Sequence, residues 1–187
     1  METRHESRHE ALLMPVLIRL ATYDDAEWLP DIERCAAQAF RSIDGLGWLA
    51  DAGVMPVERH RQMIALSTCW VAVDAEDRVQ GFLSAEQYAD DLHMHELAVK
   101  QSMQRHGVGR QLMAFAMDYG RTQRLHSVTL TTFKDVPWNA PFYQRLGFQQ
   151  CTDSTLDQRL ADILKAEYDY GFAPGSRCAM AWACSVA

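Results

Sequence analysis

The 187-residue chain has no apolar run long enough to cross a bilayer or to form the core of a signal peptide. A membrane protein is therefore not expected, and the cytoplasm is the expected compartment. It also lacks a cysteine framework. Cys35, Cys69, Cys151, Cys178 and Cys184 are odd in number, widely spaced and set among apolar residues, which suits reduced core thiols and neither disulfides nor a zinc site. No metal is expected, and none of the five is a good nucleophile candidate. Clustered Lys and Arg are missing too. With 18 basic and 25 acidic residues the formal net charge is −7, so nucleic acid is not an expected partner, whereas a cationic substrate suits that balance. No repeat or low-complexity segment appears. The opening residues 1–14, METRHESRHEALLM, are polar and charged and are expected to be a flexible tail. Residues 15–187 then form a single domain of ordinary size.

Hydrophobic periodicity orders the domain. Residues 16–20 are a short apolar strand, and Thr22, Asp24 and Asp25 cap a helix whose apolar positions include Trp28, Ile32, Cys35, Ala36 and Phe40. Gly45, Gly47 and Gly53 interrupt residues 42–55, a loop that carries Trp48 and Leu49. After Pro56 a helix runs through Met63 and Leu66, and residues 69–73 and 79–85 make a hairpin. A strand at 92–99, a helix at 107–122, a strand at 127–131 and a short helix at 137–146 follow. Leu156, Leu160, Ile163 and Leu164 mark an amphipathic helix at 156–168, before a closing strand at 178–183. That helix reads as a lid, as the contact of a homodimer, or as plain core packing. The fold class is α+β, a mixed sheet with helices on both faces.

The most informative stretch is 92–113, LHMHELAVKQSMQRHGVGRQLM. Here an alternating strand enters a glycine-marked turn and then a helix whose apolar side carries Val108, Leu112, Met113, Phe115, Ala116 and Tyr119. Gly107 and Gly109 let a ligand approach the main chain, and the free amides at a helix start point at whatever anion sits there. Arg105 and Arg110 add positive charge beside them. The same spacing also serves a helix that packs tightly on a strand. It is not a Walker loop, since no Gly-Lys-Ser/Thr follows, and it lacks the third glycine and the later acid of a dinucleotide fingerprint.

A second segment, 137–148, reads PWNAPFYQRLGF. Pro137 suits a first helical turn, Gly147 a helix stop, and Phe148 a strand entry. Together, Gln104-x-x-Gly107-x-Gly109 and Asn139-x-x-x-Tyr143-x-x-Leu146-Gly147-Phe148 resemble the GNAT superfamily of acetyl-CoA-dependent N-acetyltransferases. Within it the chain looks most like the arylalkylamine (serotonin-type) enzymes, through His93, His95, Leu97-Ala98-Val99 and Pro141-Phe142-Tyr143-Gln144-Arg145. The resemblance implies a sheet splayed between the strands at 93–99 and 127–131, with acetyl-CoA in the splay. The main chain of Leu97, Ala98 and Val99 would hold the pantetheine arm. Gln104, Arg105, His106, Gly107, Val108, Gly109 and Arg110 would hold the pyrophosphate, and Asn139 would bond the cofactor.

Amine attack on a thioester needs a neutral amine, a polarised carbonyl and a proton for the leaving thiolate. His93 and His95 lie two apart on a strand, share a face and titrate near neutrality, so they are the candidate bases. Exposed edge histidines and a two-histidine metal half-site are the alternatives. Glu96 falls on the opposite face by strict alternation and serves as base if the strand carries a bulge, which the resemblance implies at this point. Tyr143 is the candidate general acid, with a helix aromatic packed on the core as the alternative. Asn139 alternatively caps its helix. Trp48, Leu49, Met55, Tyr88 and Phe133 are candidate walls for an aromatic amine, and Asp90 and Asp91 candidate attractors of an ammonium. The expected activity is direct acetyl transfer to a small arylalkylamine or polyamine-like acceptor. A protein lysine or N-terminal acetyltransferase and an acyl-CoA sensor are the alternatives.

Overall fold

The computed structural model describes residues 16–184; the tail expected at residues 1–14 lies outside them. Strand β1 (Leu17–Leu20) leads to a 3-10 turn (Tyr23–Glu27). Asp25 fixes that turn: the Thr22 amide and hydroxyl donate to its carboxylate at 2.6 and 2.9 Å, and Arg19 pairs with it at 2.7 Å. The single helix expected from Thr22 to Phe40 is broken into three pieces. Pro30 occupies the first turn of α1 (Leu29–Ala37), where its missing amide costs nothing. The chain therefore restarts as a helix at Leu29, and a further 3-10 turn spans Gln38–Ser42. Trp28 falls at the break and is 63 % exposed, against its expected place on the buried face.

After a 3-10 turn at Gly47–Asp51 come α2 (Val57–Ala65), β2 (Cys69–Val73), β3 (Val79–Tyr88) and β4 (Asp91–Val99). Next are α3 (Val108–Thr122), β5 (Ser127–Phe133) and α4 (Ala140–Gln144). The chain ends with β6 (Gln149–Gln150), α5 (Gln158–Tyr170) and β7 (Arg177–Ala183). Helix α4 starts later than expected: Pro141, and not Pro137, takes its first turn. The seven strands form one sheet in the order β1-β2-β3-β4-β5-β7-β6.

Helices cover both faces of the sheet. Trp70, Ala72, Leu83, Ala85, Leu92 and Met94 pack with Leu112, Met113 and Ala116 of α3. On the other face Cys69, Val71, Val73 and Phe82 pack with Leu29 and Ile32 of α1 and Met63 of α2. Strand β2 is accordingly buried throughout. Gly120 brings α3 close to the sheet: a Cβ there would lie 2.8 Å from Cys184 Sγ.

Two irregularities of β4 shape the site. Ala85 pairs with Met94 and Ser84 with Glu96, so His95 is the extra residue of a β-bulge. The bulge resets the alternation and turns Glu96 to the same face as His93, where unbroken alternation would have opposed them. In addition, β4 pairs with its parallel neighbour β5 only from Asp91↔Ser127 to Met94↔Leu130. Beyond Met94 the two strands part, which leaves the β5-facing edge of residues 95–99 open.

Candidate active site

The turn before α3 follows directly from its sequence. Gly107 has φ +81°, a left-handed conformation that a side chain would strain, and Arg105 is also left-handed at φ +64°. These angles swing successive amides outward. As a result the amides of residues 105–110 meet no acceptor among the described residues, although they stand at the start of a fifteen-residue helix. Arg105 and Arg110 are exposed beside them. The Gln104 side chain donates to the Val99 carbonyl at 3.0 Å and ties the turn to the end of β4. A concave set of free amides between two guanidinium groups is what a pyrophosphate fits.

The edge of β4 continues this surface. The Lys100 amide donates to the Gln80 carbonyl at 2.9 Å. Antiparallel alternation then directs the main-chain groups of Leu97 and Val99 away from β3, into the gap, and those of Ala98 toward β3. Ala98 is buried against Phe82 and does not line the cavity. Nor does His106, whereas Gln104, Arg105 and residues 107–110 do. Asn139 stands at the amino end of α4 but makes no side-chain cap bond. Its Oδ1 is buried without a partner on the cavity wall, an acceptor that the amide of a bound pantetheine arm would satisfy.

The gap opens into a cavity of about 1120 Å³. Its far end is walled by side chains from six elements: Glu33 of α1, Glu96 of β4, Phe133 of β5, Tyr143 of α4, Glu167 of α5 and Arg177 of β7. Burial pushes the carboxyls of Glu33 and Glu96 well above the usual carboxylate range, and the charge of Glu33 raises Glu96 further. The Met55 amide holds one oxygen of Glu33 at 3.0 Å. Burial, and then the Glu96 charge, also raise the Tyr143 phenol, so it stays protonated at neutral pH. An aromatic belt of Trp138, Phe40, Phe133, Phe172 and Trp48 runs along this side, with neighbouring ring centroids 5.2 to 5.7 Å apart.

The two histidines have different surroundings. His93 is 3 % exposed, bonds through Nδ1 to Thr129 Oγ1 at 3.1 Å and is absent from the cavity lining. Burial and then the neighbouring His95 push it down to about 3. His95 does line the cavity, with its Nε2 3.2 Å from Glu86 Oε2. Glu86 also accepts from the Tyr88 hydroxyl at 2.7 Å and from Arg59. Burial lowers His95 as well, which keeps its ring neutral. With Nε2–H donated to Glu86, Nδ1 remains as an acceptor.

Of the aromatic-pocket candidates, Leu49 and Phe133 line the cavity and Trp48 stacks at its rim against Tyr170 and Phe172. Met55 borders a separate shallow groove, and Tyr88 belongs to the Glu86 cluster. Asp91 accepts from Ser127 at 2.6 Å, and the Asp90 carbonyl accepts from the His126 amide; neither reaches the cavity. Sequence reasoning missed Glu33, Phe40, Trp138, Glu167, Phe172 and Arg177. Trp138 adjoins Asn139 in the 137–148 segment, which could have pointed to it; no motif marks the other five, because only the tertiary fold gathers them.

A profile of the acetyltransferase (GNAT) family matches residues 37–148, more than half of the chain. The chain belongs to the GNAT family. It is an acetyl-CoA-dependent acetyltransferase, and the turn and the β4 edge suit that donor.

Solved structures show the same GNAT fold at low identity. PaiA N-acetyltransferase from Thermoplasma acidophilum, in complex with coenzyme A, is 17% identical, with a TM-score of 0.65 and coverage of 91% of this chain and 99% of that one. Rv2747 from Mycobacterium tuberculosis, also in complex with CoA, is 18% identical, with a TM-score of 0.65 and coverage of 89% and 98%. Ard1 from Thermoplasma volcanium is 19% identical, with a TM-score of 0.63 and coverage of 90% and 97%. Among the described residues of this GNAT protein there is no group of three or more metal-ligating side chains and no helix long and apolar enough to cross a membrane.

Proposed function

We propose that the protein moves the acetyl group of acetyl-CoA directly onto the primary amine of a small arylalkylamine. The observation that carries this reading is the far end of the cavity, where an aromatic belt lines the same space as two carboxyls and a phenol. Aromatic walls suit a ring, and carboxylates suit an ammonium. Trp48, Tyr170 and Phe172 stack on one another beside these groups and add further ring surface.

Acetyl-CoA supplies an activated acetyl thioester. Residues 104–110 hold its pyrophosphate, while Leu97, Val99 and Asn139 bond the pantetheine arm. Glu96 takes the proton of the bound ammonium. A free ammonium with a pKa of about 10 gives up little neutral amine at pH 7, and a carboxyl raised by burial is a better acceptor than an ordinary one. Glu96 is preferred to His95 because its carboxyl, raised by burial, lines the cavity with Tyr143, whereas the His95 ring is lowered by burial and already bonds Glu86. The Leu97 amide faces the gap and polarises the acetyl carbonyl. Tyr143 gives its proton to the departing sulfur and regains one from the adduct's nitrogen as it becomes the amide, while Glu96 releases the ammonium proton to solvent. No acyl-enzyme forms: no cysteine lines the cavity, and burial pushes the Cys69 thiol up to about 12.

The test is thiol release from acetyl-CoA with three acceptor classes: arylalkylamines such as tryptamine, polyamines such as spermidine, and lysine peptides. Fastest release with the first class is expected. Release only with spermidine or only with a peptide would replace the acceptor, and coenzyme A binding without release for any amine would favour a sensor.

A further inference from the structure

The far end of the cavity holds a cation that the reaction does not use. Arg177 of β7 stands between two rings, its guanidinium carbon 4.5 Å from the centroid of Phe133 and 4.8 Å from that of Phe172. Its Nε and Nη2 donate to the two oxygens of Glu167 at 2.9 and 2.6 Å. The Thr131 hydroxyl donates to the same carboxylate at 2.6 Å. Only 12% of the Arg177 side chain and 17% of the Glu167 side chain are exposed, and both residues line the cavity. A guanidinium fork stacked on aromatics, with two parallel bonds to one carboxylate, is the geometry by which arginine recognises an acid. Here the acid comes from the protein itself, on the cavity-facing side of α5 with Ile163, Ala166 and Tyr170.

We propose that Glu167 stands in for a substrate carboxylate: by filling the Arg177 fork it closes the acceptor end to amino acids and restricts it to amines that carry no acid group. An aromatic amino acid differs from the matching arylalkylamine only by its carboxylate. That group finds the Arg177 guanidinium already paired, and it meets Glu33 and Glu96 besides. Desolvating an acid with no partner is costly, so the discrimination is large for a small change in the ligand. The inference rests on the reading of this end as the acceptor site, and it adds the residue pair that sets the acceptor's charge type.

The test is binding of indole-3-acetate, an aryl carboxylate without an amine, followed by calorimetry on the full chain. This measurement needs neither acetyl-CoA nor turnover, so its failure is distinct from failure of the amine panel. Glu167→Ser frees the fork and is expected to tighten indole-3-acetate by about tenfold or more over the wild type, as a charge-assisted pair is gained. Adding Arg177→Met to Glu167→Ser is expected to abolish the gain. Glu167→Gln keeps one acceptor oxygen for Arg177 and serves if the serine variant does not fold; a smaller gain in the same direction is expected. The wild type, in turn, is expected to bind tryptamine much more tightly than tryptophan. Equal binding of those two by the wild type, no gain in either Glu167 variant, or a gain that survives Arg177→Met overturns the proposal.

Discussion

At one end of the cavity the walls come mostly from one stretch, Leu97, Val99, Gln104, Arg105 and residues 107–110, whose free main-chain groups do the binding; at the other they are side chains delivered by six separate elements. The first end asks for free amides and a left-handed turn, so a few positions of the sequence suffice to specify it. The second asks for charges of chosen strength. Such strength comes from neighbours: the same glutamate that would be an ordinary carboxylate on the surface is raised at Glu96 by burial and by Glu33. Binding and chemistry are therefore separable in this molecule, and substitutions at the two ends should have different signatures.

The largest expected effect is at the side-chain end. Glu96→Gln should lower turnover by about 100- to 1000-fold, the range of a lost general base, and leave acetyl-CoA affinity unchanged. The base must be unprotonated to act, so activity of the wild type should climb as pH rises through the raised Glu96 carboxyl, and the glutamine variant should lose that limb. His95→Ala should cost far less. A larger loss from His95→Ala than from Glu96→Gln, read in the same pH-rate profiles, would move the base to the histidine.

At the main-chain end, Gly107→Val forces a β-branched residue to φ +81°. It should cost about 1 to 2 kcal/mol of stability and weaken acetyl-CoA binding, while turnover at saturating donor stays the same. Thermal melts and donor titrations check this. A variant with normal donor affinity but poor turnover would erase the contrast between the two ends.

The smallest effect concerns His60, which is fully buried, bonds Ser84 Oγ through Nδ1 at 3.3 Å and leaves Nε2 without a partner. Burial pushes it down to about 4 from the usual 6.5. Above pH 6.5 neither folded nor unfolded chain protonates it. Below that the unfolded chain takes up a proton that the folded one refuses until about pH 4, so this stability is present at neutral pH and lost on acidification. Glu33 and Glu96, raised when folded, work in the opposite direction over much of the same window. The difference between wild type and His60→Gln cancels their share. It should amount to about 1 kcal/mol per pH unit below 6.5 in urea midpoints, and parallel pH curves for the two proteins would refute it.

The same contrast explains what could be read from the sequence. The strand, turn and helix over residues 92–122 were legible because each depends on its own neighbours: alternation, two glycines and a 3.6-residue period. The mixed sheet with helices on both faces followed from the order of such segments. The break at Trp28 was less visible, since Pro30 suits a helix start as well as a helix interruption. No glycine or proline beside His95 marks the bulge, which only the family resemblance implies, yet the bulge decides the face of Glu96. Glu33 and Arg177 lie 144 positions apart with ordinary surroundings, and only the packing of α1 and β7 around the splay brings them to one wall. The sequence-stretch candidates likewise part company in space: His95, Tyr143 and Asn139 share the cavity, while His93, Ala98 and His106 do not line it.

The most direct measurement is the change in backbone amide resonances when coenzyme A is added to the full chain, followed by a second addition of tryptamine. The largest first-step shifts are expected at Leu97, Val99 and residues 105–110, with the acceptor end around Phe133 and Arg177 responding only at the second step. Unmoved amides at residues 105–110, or coenzyme A shifts centred at the aromatic end, would contradict the division of the cavity described above.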